Sequence, residues 1–208
     1  MRHKLFTLAL LLLVTPVHAQ TRTITLPRPA AAPRPSAANL EMSNRLQAFT
    51  GGVGVILRLY GEGQAGRTGS PNDFRAAFAL AMSENQALVA ATDARMAALY
   101  ATIYPAPLMA AALSFYESPI GRAMAEKHRN ALGQITWPDP GDTFLSREES
   151  AALRAFNANV LLMGDAAQKN PDAMDGVLSA ETDAIIKLRQ AANAKYCQNH
   201  DCAKEGIK

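Results

Sequence analysis

Side chains capable of chemistry are few in this sequence, and the densest group lies near its end. Cys197-Gln198-Asn199-His200-Asp201-Cys202 puts two thiols, an imidazole and a carboxylate within six residues. Thiolate, imidazole and carboxylate are the usual ligands of Zn²⁺, so the string offers a metal site. It equally offers a small disulfide loop that staples the end of the preceding helix. In an oxidising compartment two cysteines this close normally pair, and ligands crowded into one short string make a cramped metal site. A redox-active pair ranks third, because its common spacing is Cys-x-x-Cys. The reading favours a Cys197–Cys202 disulfide, with no metal and no cofactor.

Other reactive groups are better explained by structure. His128 lies in Glu126-Lys127-His128-Arg129, a charged string that reads as a solvated helix face rather than a general base. Gly51-Gly52-Val53-Gly54 lacks the Lys-Ser/Thr of a phosphate cradle. Acidic pairs occur at Glu148-Glu149, Asp172 with Asp175, and Glu181 with Asp183. A helix start accounts for the first, and none is flanked by the aromatics of a sugar cleft; Trp137 is the single tryptophan. H-E-x-x-H, the P-loop and G-x-S-x-G are missing from the sequence, and no catalytic residue is assigned.

The most distinctive string is Phe115-Tyr116-Glu117-Ser118-Pro119-Ile120-Gly121. It describes a corner. A helix closes on two aromatics, Pro119 disfavours helical geometry at Ser118, and Ser118 caps a new helix. Gly121 leaves room for a neighbouring chain segment. The corner fixes an angle between two helices; the functional alternative is a recognition corner at which Tyr116 presents its hydroxyl. From Met96 to Lys127 the sequence resembles an uncharacterised bacterial envelope family, domain-of-unknown-function family 2059. Leu99-Tyr100, a break at Tyr104-Pro105, and Phe115 to Gly121 follow that family's order of aromatic helix, break, short helix and FY-x-S-P-x-G. Pro105-Ala106-Pro107 stands where the family usually has Thr followed by acids. The resemblance implies a secreted, periplasmic, all-helical protein and carries no activity with it.

The elements that hold these residues read as helices throughout. Ser70-Pro71-Asn72-Asp73 is a helix start with Ser as cap, Pro in the first turn and an acid near the positive dipole end. Leu88, Thr92, Met96, Leu99 and Ile103 then draw one helix face. Tyr104-Pro105-Ala106-Pro107 ends that helix; a second carries Leu108, Leu113 and Tyr116, and a third runs from Ser118-Pro119 to about Gly133. Ser146 to Glu149 is a capping box, opening a helix with Leu153, Phe156, Val160 and Leu161 on one side. A last helix spans about Ser179 to Tyr196, with Ile185 and Leu188 inward. Asn39 to Tyr60 holds a helix interrupted by Gly51, Gly52 and Gly54, and Trp137 to Asp142 is a loop. Ala110 to Phe115 and Ala151 to Phe156 are similar strings, each followed by Gly and Lys. They raise the possibility of two related halves, about 70–136 and 143–196.

The expected fold is an all-α bundle of about five to seven helices over 39–208, behind a disordered Pro/Ala-rich tail. Residues 1–19 read as a secretory signal: Arg2 and Lys4, an apolar run from Leu5 to Val14, and a small residue at Ala19. That run is shorter than the roughly 20 residues of a spanning helix. Residues 20–38 form a basic linker with Arg22, Arg28 and Arg34 and no acid. These three charges offer weak contact with a membrane surface. The chain's formal charge of +3 belongs to leader and tail; the body from Asn39 has 16 bases and 18 acids. A body without a basic stripe argues against nucleic acid. The sequence therefore points to a periplasmic or secreted, non-enzymatic module that binds a protein, peptide or apolar ligand. A hydrolase or metal-dependent enzyme of the envelope is the alternative.

Overall fold

The computed structural model describes residues 35–130 and 145–207, with side chains placed outside 127–130. The leader, Arg22, Arg28, Arg34, the His128 side chain and the Trp137 loop lie outside the described set.

The described chain is helical, as its alanine content and periodicity require. Helix α1 (Ala37–Thr50) begins inside the stretch read as linker, because Ser36 caps it: its Oγ accepts the Asn39 N–H at 3.1 Å. Gly51 ends α1 in the left-handed region at φ 83°, which a residue without Cβ adopts freely. The chain restarts at once as α2 (Gly52–Ala65). The glycine-rich segment is thus two helices with a bend, and Gly54 is absorbed inside the second.

Pro71 opens α3 (Pro71–Glu84) with Asp73 in its first turn. Ser70 precedes it but makes no side-chain cap bond, contrary to expectation; its N–H is instead taken by Tyr196 Oη at 3.2 Å. Asn85 separates α3 from α4 (Gln86–Ile103), which ends at Tyr104 where Pro105 follows. Helices α5 (Ala106–Glu117) and α6 (Pro119–Asn130) form the corner.

The capping box at Ser146 opens α7 (Arg147–Gln168): Ser146 Oγ accepts the Glu149 N–H at 3.1 Å and Glu149 accepts the Ser146 N–H at 2.8 Å. The expected inner face of α7 is partly wrong. Phe156 is buried, but Leu161 is 73% exposed and Asn159 occupies the inner position instead. Asn159 Nδ2 donates to the Leu108 carbonyl at 3.0 Å, fastening α7 to α5.

Helix α8 (Pro171–Tyr196) starts at Pro171, about two turns before Ser179. A single turn, α9 (Cys202–Glu205), completes the described helices. There are more helices than five to seven, because Gly51 and Asn85 each divide a run that periodicity joins.

Two apolar clusters organise these elements. In the larger, Ala180, Ala184, Leu188, Ala192 and Tyr196 recur every fourth residue of α8. This ridge of mostly small side chains lets α3 and α4 pack closely against it. Phe74 and Phe78 of α3, Met96 and Ile103 of α4, and Val53 and Leu57 of α2 fill the layer. The smaller cluster joins Ala112 and Phe115 of α5, Ile120 of α6 and Phe156 of α7. Helix α1 packs on both α4 and α5. Its Gln47, with the amide oriented by its neighbours, donates to the Asp93 carbonyl (3.1 Å) and accepts from the Ala97 N–H (2.8 Å).

The two similar strings are built differently. Phe115 ends a helix at a corner, whereas Phe156 sits inside uninterrupted α7; Gly121 is crowded and Gly164 meets nothing within 4 Å. The two phenylalanine rings stack face to face, with centroids 4.0 Å apart.

Candidate functional site

The corner is built from backbone outward. Helix α5 stops because Pro119 cannot supply an N–H, and Ser118 takes an extended conformation at φ −71°, ψ 158°. Ser118 then serves both helices. Its N–H and hydroxyl donate to the Phe115 carbonyl, at 3.0 and 2.5 Å, closing α5. Its Oγ accepts the Gly121 N–H at 3.1 Å and its carbonyl accepts the Arg122 N–H at 2.9 Å, opening α6.

Gly121 faces the backbone it has just left. A Cβ there would lie 1.9 Å from the Phe115 carbonyl oxygen. Phe115 is buried, and Tyr116 stacks on Phe49 of α1 (5.8 Å, 12°) with its ring edge-on to Phe115 and Phe156. Burial pushes the Tyr116 hydroxyl above the usual phenol range. Tyr116 is therefore packed as part of the aromatic cluster.

Beside the corner, α1 and α5 enclose an open groove of about 470 Å³. Met42 and Leu113 form its apolar part, and Ser114 and Ser118 its polar part. Arg45 of α1 and Glu117 of α5 both line it and are ion-paired, each side chain about half exposed. The groove thus offers apolar contact and hydrogen-bonding groups beside one charge of each sign.

The end of the chain forms a second group. Cys197 and Cys202 are disulfide-bonded, with Cα atoms 5.5 Å apart, so neither thiol is free. The loop they close lays the His200 ring flat on Tyr196 (4.1 Å, 4°) and brings its Nε2 to 3.2 Å from Asp73 of α3. These groups border a cavity of about 430 Å³.

Glu205 of α9 locks the same region. Its Oε2 accepts from the Gly69 N–H at 3.0 Å and from Tyr196 Oη at 2.8 Å, and these bonds hold its carboxyl below the usual range. Asp201 caps α9 and pairs with Lys204, which lowers its carboxyl as well. Among the described residues no cluster of three or more His, Cys, Asp or Glu side chains is arranged to hold a metal.

Sequence reasoning singled out Cys197, Cys202 and the Phe115–Gly121 string. It missed the partnership of His200 with Asp73 and of Glu205 with Gly69, which join residues far apart in the chain. The only local signals were an acid in the first turn of α3 and an acid shortly after Cys202. It also missed the groove, since Met42 and Arg45 belong to a helix with no distinctive pattern. No family model, curated protein or solved structure matches this chain.

Proposed function

We propose that this protein is an exported envelope component whose helical body binds a peptide or protein segment and performs no catalysis. The observation that carries this reading is the groove between α1 and α5. It is open and about equally polar and apolar in lining, which suits an extended polypeptide better than an enclosed small apolar ligand. The corner that forms its end is also the string that resembles family 2059, and membership of that family is part of the proposal.

The cellular location rests on separate grounds. Residues 1–19 have the pattern of a secretory leader, and the Cys197–Cys202 disulfide is compatible with an oxidising compartment. No helix among the described residues is long and apolar enough to cross a membrane. The three tail arginines add weak contact with an anionic membrane surface.

The enzymatic alternative has one observation in its favour, the Asp73–His200 pair beside a cavity. The disulfide withdraws both thiols from service as nucleophiles or zinc ligands.

Export and groove are tested together. Mass spectrometry of protein recovered from a bacterial periplasm is expected to show a mature chain starting near Gln20. A photocrosslinking residue at Ser114 in the groove is expected to capture envelope polypeptide, and the capture is expected to fall sharply with Arg45→Glu. The same residue at exposed Thr182 on α8 is the control. Equal capture from both positions would remove the groove from the proposal. Stoichiometric zinc with two titratable thiols would restore the enzymatic reading.

A further inference from the structure

We propose that a second cleft, between the α2–α3 connection and α8, binds a small organic monocarboxylate. The cleft encloses about 440 Å³ and shares no residue with the groove of α1 and α5, so it stands or falls separately. Arg67 enters it from the turn after α2, and Arg189 from α8.

Arg45, Arg75 and Arg95 are ion-paired, but among the described residues neither Arg67 nor Arg189 meets an acid. Both side chains line the same concave surface and are exposed, so their donor forks are open to a ligand. A carboxylate suits them, because its two oxygens match the planar fork.

Glu205 in the wall selects the charge of the ligand. Its Oε2 is already bound by Gly69 and Tyr196, and its carboxyl is held ionised. With that acid counted against the two arginines, a monoanion balances the cleft and a dianion exceeds it. Half-buried Ile207 gives the ligand's hydrocarbon part an apolar contact, and the Gln64 amide adds a polar one.

The experiment titrates the full chain with sodium hexanoate, following the arginine side-chain NMR signals and the heat of binding. Hexanamide is the uncharged probe and inorganic phosphate the more highly charged one. Saturable hexanoate binding is expected. Arg67→Gln and Arg189→Gln are each expected to weaken it about tenfold, the loss for one charge-assisted hydrogen bond. Arg189→Lys recovers only part, since an ammonium lacks the fork. Lys187→Gln, exposed on α8 outside the cleft, changes nothing. Both arginines are exposed and lie on different elements, so at least one Gln variant reports on a folded protein. Hexanoate binding unchanged in both variants, binding without saturation, or equal affinity for hexanamide or phosphate overturns the proposal.

Discussion

A methyl group at Gly121 would lie 1.9 Å from the Phe115 carbonyl oxygen and 2.7 Å from Tyr116 Cα, and neither backbone atom can rotate away. Gly121→Ala therefore forces α6 off α5. The expected cost is roughly 3 kcal/mol, in the upper range for overpacking, read as a lowered urea midpoint at unchanged slope. Gly164 in α7 is the internal control. It meets nothing within 4 Å, so Gly164→Ala should add about 0.5–1 kcal/mol through helix propensity alone.

Asp93 is a residue-scale test of charge. Its Oδ1 accepts the Val53 N–H at 2.7 Å, doing for α2 what a cap side chain does elsewhere. Burial outweighs that bond and raises the Asp93 carboxyl above its usual range. A raised folded value means the carboxyl favours folding most at pH below the ordinary carboxylate range. The benefit is lost as pH rises through the folded value. Asp93→Asn keeps the acceptor and drops the charge. Thermal melts should show it at least as stable as wild type at pH 7, with the difference shrinking towards pH 4. Asp93→Ala should cost about 1 kcal/mol at either pH, because the N–H loses its acceptor.

At the scale of elements, the legible features are those whose partners lie close in sequence. Ser146 and Glu149 are three residues apart, and the capping box they form was readable directly. Ser118 and Gly121 have the same separation and the corner was readable for the same reason. Asp93 acts on α2 from 40 residues away, and nothing near Val53 announces it. The inner face of α7 failed similarly. Leu161 is the more apolar choice, but Asn159 is the residue that faces α5, and its amide donates an additional bond to the Leu108 carbonyl.

The end of the chain joins both kinds of contact. The disulfide is local and was readable; the docking of α9 by Glu205 spans 136 residues and was not. Cys197→Ser with Cys202→Ser should cost about 2 kcal/mol, as expected for so short a loop. Hydrogen exchange at the Gly69 amide should rise as the loop loosens. Glu205 responds to pH in the opposite sense to Asp93. Its folded value is lowered, so its contribution is present above the ordinary glutamate range and lost as pH falls through the folded value. Glu205→Gln should therefore make Gly69 exchange early at neutral pH and remove the acid-dependent step that wild type shows.

For the whole molecule, the decisive fact is the inequality of the two apolar clusters. Among the described residues the larger holds 15 buried side chains drawn from α2, α3, α4 and α8, and the smaller holds four from α5, α6 and α7. Local stability follows the apolar surface that must be exposed on opening, so the smaller cluster should open first. Helix α7 makes this sharper. Phe156 and Asn159 are its only buried residues, and its main packing partner is α5. Phe156→Ala deletes the ring that stacks on Phe115 and meets Tyr116 edge-on, a loss of about 3–5 kcal/mol by the usual cost of such truncations. Native-state hydrogen exchange should then show amide protection collapsing along α7 and around the corner, while the α8 amides near Ala184 and Leu188 keep theirs. One wall of the groove is α5, the helix that also carries Ala112 and Phe115 of the smaller cluster, so a segment bound across α1 and α5 must hold that part of the molecule closed. Ligand binding should accordingly raise protection at Phe115–Gly121 more than at α8. Uniform loss of protection in Phe156→Ala would instead mean that α1, bonded through Gln47 to α4 and packed on α5, couples both clusters into one cooperative unit.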